Sequence, residues 1–232
     1  MNEKAVWDFL YPKILNSYGV AALMGNLYVE SKLNPRNLQG SYERKLNMTD
    51  EQYTYSVDNG LYPGFVDDRA GYGLAQWTYP TRKENLLNYA LDHGKSIGDL
   101  NMQLEFLWQE LQGYKTCLNA LKAATSIREA SDVVVDRYEK PADRSEKGRQ
   151  NRANYGQNYY DQFAAKKKCK QVVITTNSVN IRTGNSKEYN KVGVCNKNDS
   201  FDWIATAENG WHAIRYVNQV AWVSGDFSKM KE

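Results

Sequence analysis

"AAKKKCKQ", residues 164–171, separates two parts of a 232-residue chain whose side chains repeat with different periods. Before it, apolar residues recur at helical spacing: Val6, Phe9, Leu10 and Ile14; Leu86, Leu87, Ala90 and Leu91; Leu100, Leu104, Leu107, Trp108 and Leu111; Leu118 and Leu121; Val133, Val134 and Tyr138. Such spacing places one apolar stripe on each of a series of helices. A last helix carries Tyr155, Tyr159, Tyr160 and Phe163. After the break the period falls to two. Short β-rich runs at 172–176, 179–181, 201–204, 211–214 and 220–223 are separated by Asn, Gly and Ser turns, the pattern of a small barrel. The expected fold is therefore multidomain α+β: a mainly helical domain over 1–163, a linker over 164–171 and a small all-β barrel over 172–232.

Composition narrows the class. Hydrophobic residues make up 41% of the chain and charged residues 25%, as in globular proteins, and no apolar run reaches the roughly eighteen residues needed to cross a bilayer. The net charge of +3 is spread along the chain: residues 1–165 hold 19 Lys and Arg against 21 Asp and Glu, and residues 169–232 hold 8 against 6. A nucleic-acid binder concentrates its basic residues on one face. Neither nucleic acid nor membrane is an expected partner. Three cysteines, Cys117, Cys169 and Cys195, make no disulfide framework, and a Cys169–Cys195 bridge is the one pairing kept open. The N-terminus lacks the basic start and apolar stretch of a secretory signal, so synthesis and folding in a reducing cytoplasm are expected.

Within the helical part, "GNLYVESKLNP" at 25–35 carries Glu30 near the end of an apolar helix. On a helical wheel the stripe of Val20, Leu23, Met24 and Leu27 has Glu30 at its edge, roughly 70° from its centre. A carboxyl placed there loses hydration, and lost hydration favours the protonated form that a general acid needs. The alternative is a helix end fraying into solvent, with Ser31 and Asn34 bonding the terminal backbone.

Residues 36–75 are rich in Gly, Asn, Asp and Tyr and mostly aperiodic, apart from a short helix that Thr49 caps, with Gln52 completing the capping box and Gly60 ending it. A long irregular segment inside a helical domain is usually functional, so it is the expected cleft wall. In "DDRAGYGLAQWTYPTRK" at 67–83, glycines let backbone approach a ligand, Gln76 both donates and accepts, and Tyr72 and Trp77 offer flat faces to a sugar.

A Glu-Ser at a helix end followed some forty residues later by Gly-x-Gly-Leu-Ala-Gln resembles the goose-type lysozyme and lytic transglycosylase superfamily. More narrowly, "GVAALMGNLYVES", "GYGLAQWT", "QLEFLWQEL" and "YEKPAD" resemble the phage tail lysozyme (phage lysozyme 2) family across residues 1–163. The resemblance implies a lysozyme-like hydrolase of bacterial peptidoglycan with Glu30 as catalytic acid and a sugar cleft lined by Ser31, Tyr72, Gly73, Gln76, Trp77 and Tyr138, although packing explains Tyr138 equally well. A second carboxylate has Asp58, Asp67 and Asp68 as candidates. Asp68 is chosen over its alternative as a loop-turn residue.

Other lytic chemistries find no residues. A zinc amidase needs two or three histidine-type ligands in one domain, and the two histidines, His93 and His212, lie on opposite sides of the linker. Cys117 sits in the helical pattern "YKTCLNALKAA", which reads as buried packing. No metal or other cofactor is expected. Residues 179–227, with an Asn-Ile-Arg-x-Gly opening, an Asn-Gly-Trp turn and an Ala-Trp-Val strand, resemble a bacterial SH3 domain. That resemblance implies a wall-binding module in an endolysin that reaches peptidoglycan through a membrane lesion made by another protein. Tyr189, Asp202, Trp203 and Tyr216 are its expected wall contacts, and Trp211 and Trp222 its expected core.

Overall fold

Helix α2, Ser17–Ser31, is buried on nearly every side from Gly19 to Leu27, which makes it the central helix of its unit. Asn16 starts it by accepting a hydrogen bond from the Gly19 amide at 3.0 Å. A computed structural model of the chain describes residues 2–164, 170–217 and 219–231. The chain divides into two compact units, Met1–Ala165 and Lys166–Glu232. Residues 165–169, most of the expected linker and Cys169 with it, lie outside the described residues.

The other α-helices of this unit are α1 (Glu3–Ile14), α3 (Gly40–Leu46), α4 (Asp50–Asp58), α5 (Pro80–Asp92), α6 (Leu100–Gly113), α7 (Lys115–Lys122), α8 (Ile127–Val134) and α9 (Glu146–Phe163), of which α1, α7, α8 and α9 pack on α2. Helix α4 begins with the expected Thr49–Gln52 capping box. Helix α3 is an addition to the expected pattern: it buries none of its residues, so no apolar period marks it. Helices α2 and α9 approach backbone to backbone. A Cβ built on Gly25 would come within 2.4 Å of the Arg152 carbonyl oxygen, and one on Gly156 within 2.9 Å of the Ala21 carbonyl oxygen. Two glycines thus let the helix backbones touch, and that contact sets Arg152 beside the end of α2.

Helix α8 passes directly into a π turn, Val135–Glu139, after which Lys140 adopts a left-handed φ of +49° and Pro141 follows. Cys117 is buried in α7, as its helical pattern predicts.

The second unit is an antiparallel sheet of β1 (Gln171–Ile174), β2 (Val179–Arg182), β3 (Lys191–Cys195), β4 (Ser200–Thr206), β5 (His212–Tyr216), β6 (Gln219–Val223) and β7 (Ser228–Lys231), in the order β3-β2-β6-β5-β4-β1-β7. Its core is Val172, Ile174, Val179, Ile181, Cys195, Ile214, Ala221 and Val223. Trp211 and Trp222 are only half-buried, against expectation. Ala221 and Val223 face inward from β6, so the pleat turns the intervening Trp222 to the other side.

Candidate functional site

Glu30 lies one residue before the end of α2, where Lys32 and Leu33 both take left-handed backbone, φ +54° and +57°. Non-glycine residues there carry strain that surrounding contacts must hold, and such strain clusters at functional sites. The reversal stops the helix with Glu30 facing an open groove of about 450 Å³. Gln39, Gly71, Gln76 and Tyr79 form one side of it, and Arg82, Glu139 and Pro141 continue its lining.

The glycine strip is tied to the helices by buried polar groups. Ser31 Oγ bonds the carbonyls of Leu27 and Leu74, at 3.1 and 2.9 Å. Gly73 has φ +74°, and a Cβ there would fall 2.7 Å from the side-chain amide of Gln103. That amide accepts from Leu74 N and donates to the carbonyls of Pro35 and Ile97. Gln76 Nε2 donates to Asn37 O and Asn37 Oδ1, both at 3.0 Å, while the residue faces the groove. Of the expected sugar contacts, Gln76 is in the groove wall, whereas Ser31 and Gly73 build the wall from behind.

Three aromatic expectations are corrected. Tyr72 is fully buried with its hydroxyl 2.6 Å from Thr54 Oγ1. Trp77 and Tyr138 are buried too, and both donate to Glu110 Oε2, at 2.9 and 2.7 Å. Arg82 grips the same carboxylate with Nε and Nη2 at 2.7 and 2.8 Å. Burial opposes ionisation of Glu110, but these donors outweigh it and hold its carboxyl below the usual range. The exposed aromatic residue in the groove is Tyr79, which the sequence reading passed over.

Asp68 does not line the groove. Its side chain is 7% exposed and is paired with the fully buried ammonium of Lys83. It also accepts from the Tyr53 hydroxyl and, at 2.8 Å, from the Ala70 amide, so its lone pairs are committed to holding the 62–71 loop. Asp58 accepts from Ile97 N and Ser96, and Asp67 is exposed outside the groove lining.

The second carboxyl in the groove is Glu139. Burial, and next the charge of Glu30, push it well above the ordinary carboxylate range. Arg152 Nη2 stands 2.7 Å from Glu30 Oε1, a charge contact without the alignment of a hydrogen bond. Oε1 of Glu30 and Oε1 of Glu139 are both buried and lack hydrogen-bond partners among the described residues. Two carboxyl groups beside one groove can accept from a sugar hydroxyl when ionised and donate to a glycosidic oxygen when protonated.

Residues 1–163 match the family described as phage tail lysozyme. The chain belongs to the phage tail lysozyme family. Among curated proteins, no match was found. A phage lysozyme-like, peptidoglycan-degrading function goes with that membership.

In the β unit, Tyr189 and Asp202 are exposed, whereas Trp203 and Tyr216 are half-buried against the core. A groove of about 250 Å³ in this unit is lined by Asn180, Arg182, Lys187, Trp211 and Phe227 among others, and by none of those four.

Proposed function

We propose that the helical unit is an N-acetylmuramidase that hydrolyses the β-1,4 glycan of peptidoglycan, with Glu30 protonating the leaving glycosidic oxygen as oxocarbenium character builds on the sugar. The observation that supports this most is that Glu30 and Glu139 bring two carboxyl groups, on separate helical segments, to the lining of one open groove. Glycosidases work with carboxyl groups at the scissile bond, and the carboxyl beside Glu30 in the groove is Glu139, not the Asp68 of the sequence reading. The backbone of Gly71 and the side chains of Gln39, Gln76 and Tyr79 offer the mixed polar and flat surface that saccharides bind.

Mass spectrometry of digested peptidoglycan tests the bond. Muramidase action gives new reducing N-acetylmuramic acid ends. Reducing N-acetylglucosamine ends would make the enzyme a glucosaminidase, and 1,6-anhydro ends a lytic transglycosylase. Amide cleavage with intact glycan would remove the glycosidase reading altogether.

We assign the β unit as a bacterial SH3-type module that holds the enzyme on the wall. Its exposed Tyr189 and Asp202, with Trp203 and Tyr216, supply contact area, and tethering raises the local concentration of enzyme at an insoluble polymer without altering its chemistry. Removing residues 166–232 is therefore expected to cut lysis of whole cells at least about tenfold more than hydrolysis of soluble glycan fragments. Equal losses on both substrates, measured side by side, would argue against targeting.

A further inference from the structure

Glu139 ends the π turn that follows α8, and a π turn re-aims the side chains beyond it relative to a regular helix. The turn delivers its carboxyl to the groove that Glu30 lines. An unpartnered carboxylate is costly to bury, and only a nearby cation or donor relieves the cost. The ionisable groups acting on Glu139 are Glu30 from α2, Arg82 from α5, Glu110 from α6 and Arg152 from α9, with the Cys117 thiol of α7 close enough to feel its charge. Burial, and secondarily Glu139, push that thiol up to about 12, so it contributes no charge near neutral pH. Both arginines are already engaged. Arg82 is held in a two-point pair by Glu110, and Arg152 faces Glu30. Glu139 is left with the charges of Glu30, Arg82 and Arg152 around it and, among the described residues, no hydrogen-bond donor for its buried Oε1.

We infer that Glu139 is the resting place of the proton that Glu30 delivers, so that the acid of this site is a two-carboxyl pair sharing one proton. The inference rests on the glycosidase reading. When the glycan fills the groove, the proton leaves the Glu139 O–H for a Glu30 oxygen, and Glu30 passes it to the glycosidic oxygen as the C1–O bond breaks. The bonding electrons stay with the leaving oxygen, which becomes a sugar hydroxyl. Glu139 is then an anion facing the positive charge on the remaining sugar. Attack of water on C1 releases one proton, which returns to the pair and restores it. Glu139 acts through Glu30 and is a positioning residue, and shared protons of this kind show up as properties of the pair.

The test compares the full-length parent with Glu139→Gln, Glu139→Asp and Glu30→Gln, following kcat and KM on soluble glycan fragments across pH, with thermal unfolding alongside. In Glu139→Gln, kcat is expected to fall at least about tenfold with KM changed less than about twofold. The alkaline limb of its kcat/KM profile should move to lower pH, because the proton that Glu139 retains is gone. Glu139→Asp, which keeps the acid, should recover part of kcat and part of the limb. A Glu139→Gln profile that superimposes on the parent, or a lower kcat with the limb unmoved, overturns the inference. Carbon-13 titration of the parent's carboxyls serves if the glutamine variant does not fold: a Glu139 resonance titrating above the ordinary carboxylate range supports the shared proton, and an ordinary titration overturns it. Failure of the glycosidase reading itself looks different, since then the parent makes no new glycan ends or Glu30→Gln stays active.

Discussion

Glu30→Gln is expected to lower turnover on peptidoglycan by about 10²–10⁴-fold, the range over which a positioned general acid contributes. The substitution keeps the size of the side chain and removes its capacity to hand a proton to the glycosidic oxygen. It should leave the fold largely intact, because the amide carbonyl still offers Arg152 an acceptor where Oε1 now stands at 2.7 Å. The cost in stability is about 1 kcal/mol, that of weakening a charged contact while keeping an acceptor in place. Activity lost with Tm nearly unchanged is the expected signature, read from initial rates of turbidity loss and from a thermal melt of the same preparation. A variant that clears cells as fast as the parent would take Glu30 out of the chemistry.

Asp68→Ala should do the reverse. Lys83 is 0% exposed and its partner carboxylate 7%, so removing Asp68 strands a buried ammonium and takes an acceptor from the Tyr53 hydroxyl. Breaking a buried pair from one side costs about 3–5 kcal/mol. In a protein of this size that lowers Tm by roughly 10 °C or more. Burial already draws the Lys83 ammonium below its usual pKa and only Asp68 opposes that pull, so the stranded lysine loses its proton more readily. Lys83→Met added to Asp68→Ala should return much of the loss, since an apolar pair fits a site that no charge then needs. At temperatures where Asp68→Ala remains folded, its turnover should match the parent. A folded, stable Asp68→Ala without activity would return Asp68 to the catalytic role first expected of it.

These two aspartate and glutamate outcomes mark where the sequence could and could not be read. Periodicity exposed the helices of the first part and the alternation of the second, because each element buries one face and repeats it. Thr49 and Gln52 announced α4 by local chemistry that needs no tertiary partner. Helix α3 buries no residue fully and only half-buries its apolar Tyr42 and Leu46, and so left no clear pattern. The position of Glu30 near the end of the most buried helix was legible from the apolar residues that precede it.

The groove's other parts depend on contacts between residues far apart in the chain. Trp77, Arg82 and Tyr138 read as sugar-facing or unremarkable until Glu110 on α6 gathers all three. Arg152 reaches Glu30 only because glycines at 25 and 156 let α2 and α9 touch. Glu139 resembles an ordinary helix end before Pro141, and nothing in "DRYEKPAD" signals the π turn that aims it. A run of three valines entering that turn, Val133 to Val135, is the one hint, since β-branched residues crowd a regular helix.

The most direct test of the groove is a crystal structure of the Glu30→Gln variant soaked with a muramic-acid-containing tetrasaccharide. The glycan should lie in the groove between Gln76, Tyr79 and Glu139, with one bridging glycosidic oxygen about 2.6–3.2 Å from the side-chain amide at position 30. A glycan bound elsewhere, or one lying in the groove with every bridging oxygen out of reach of that side chain, would contradict the account.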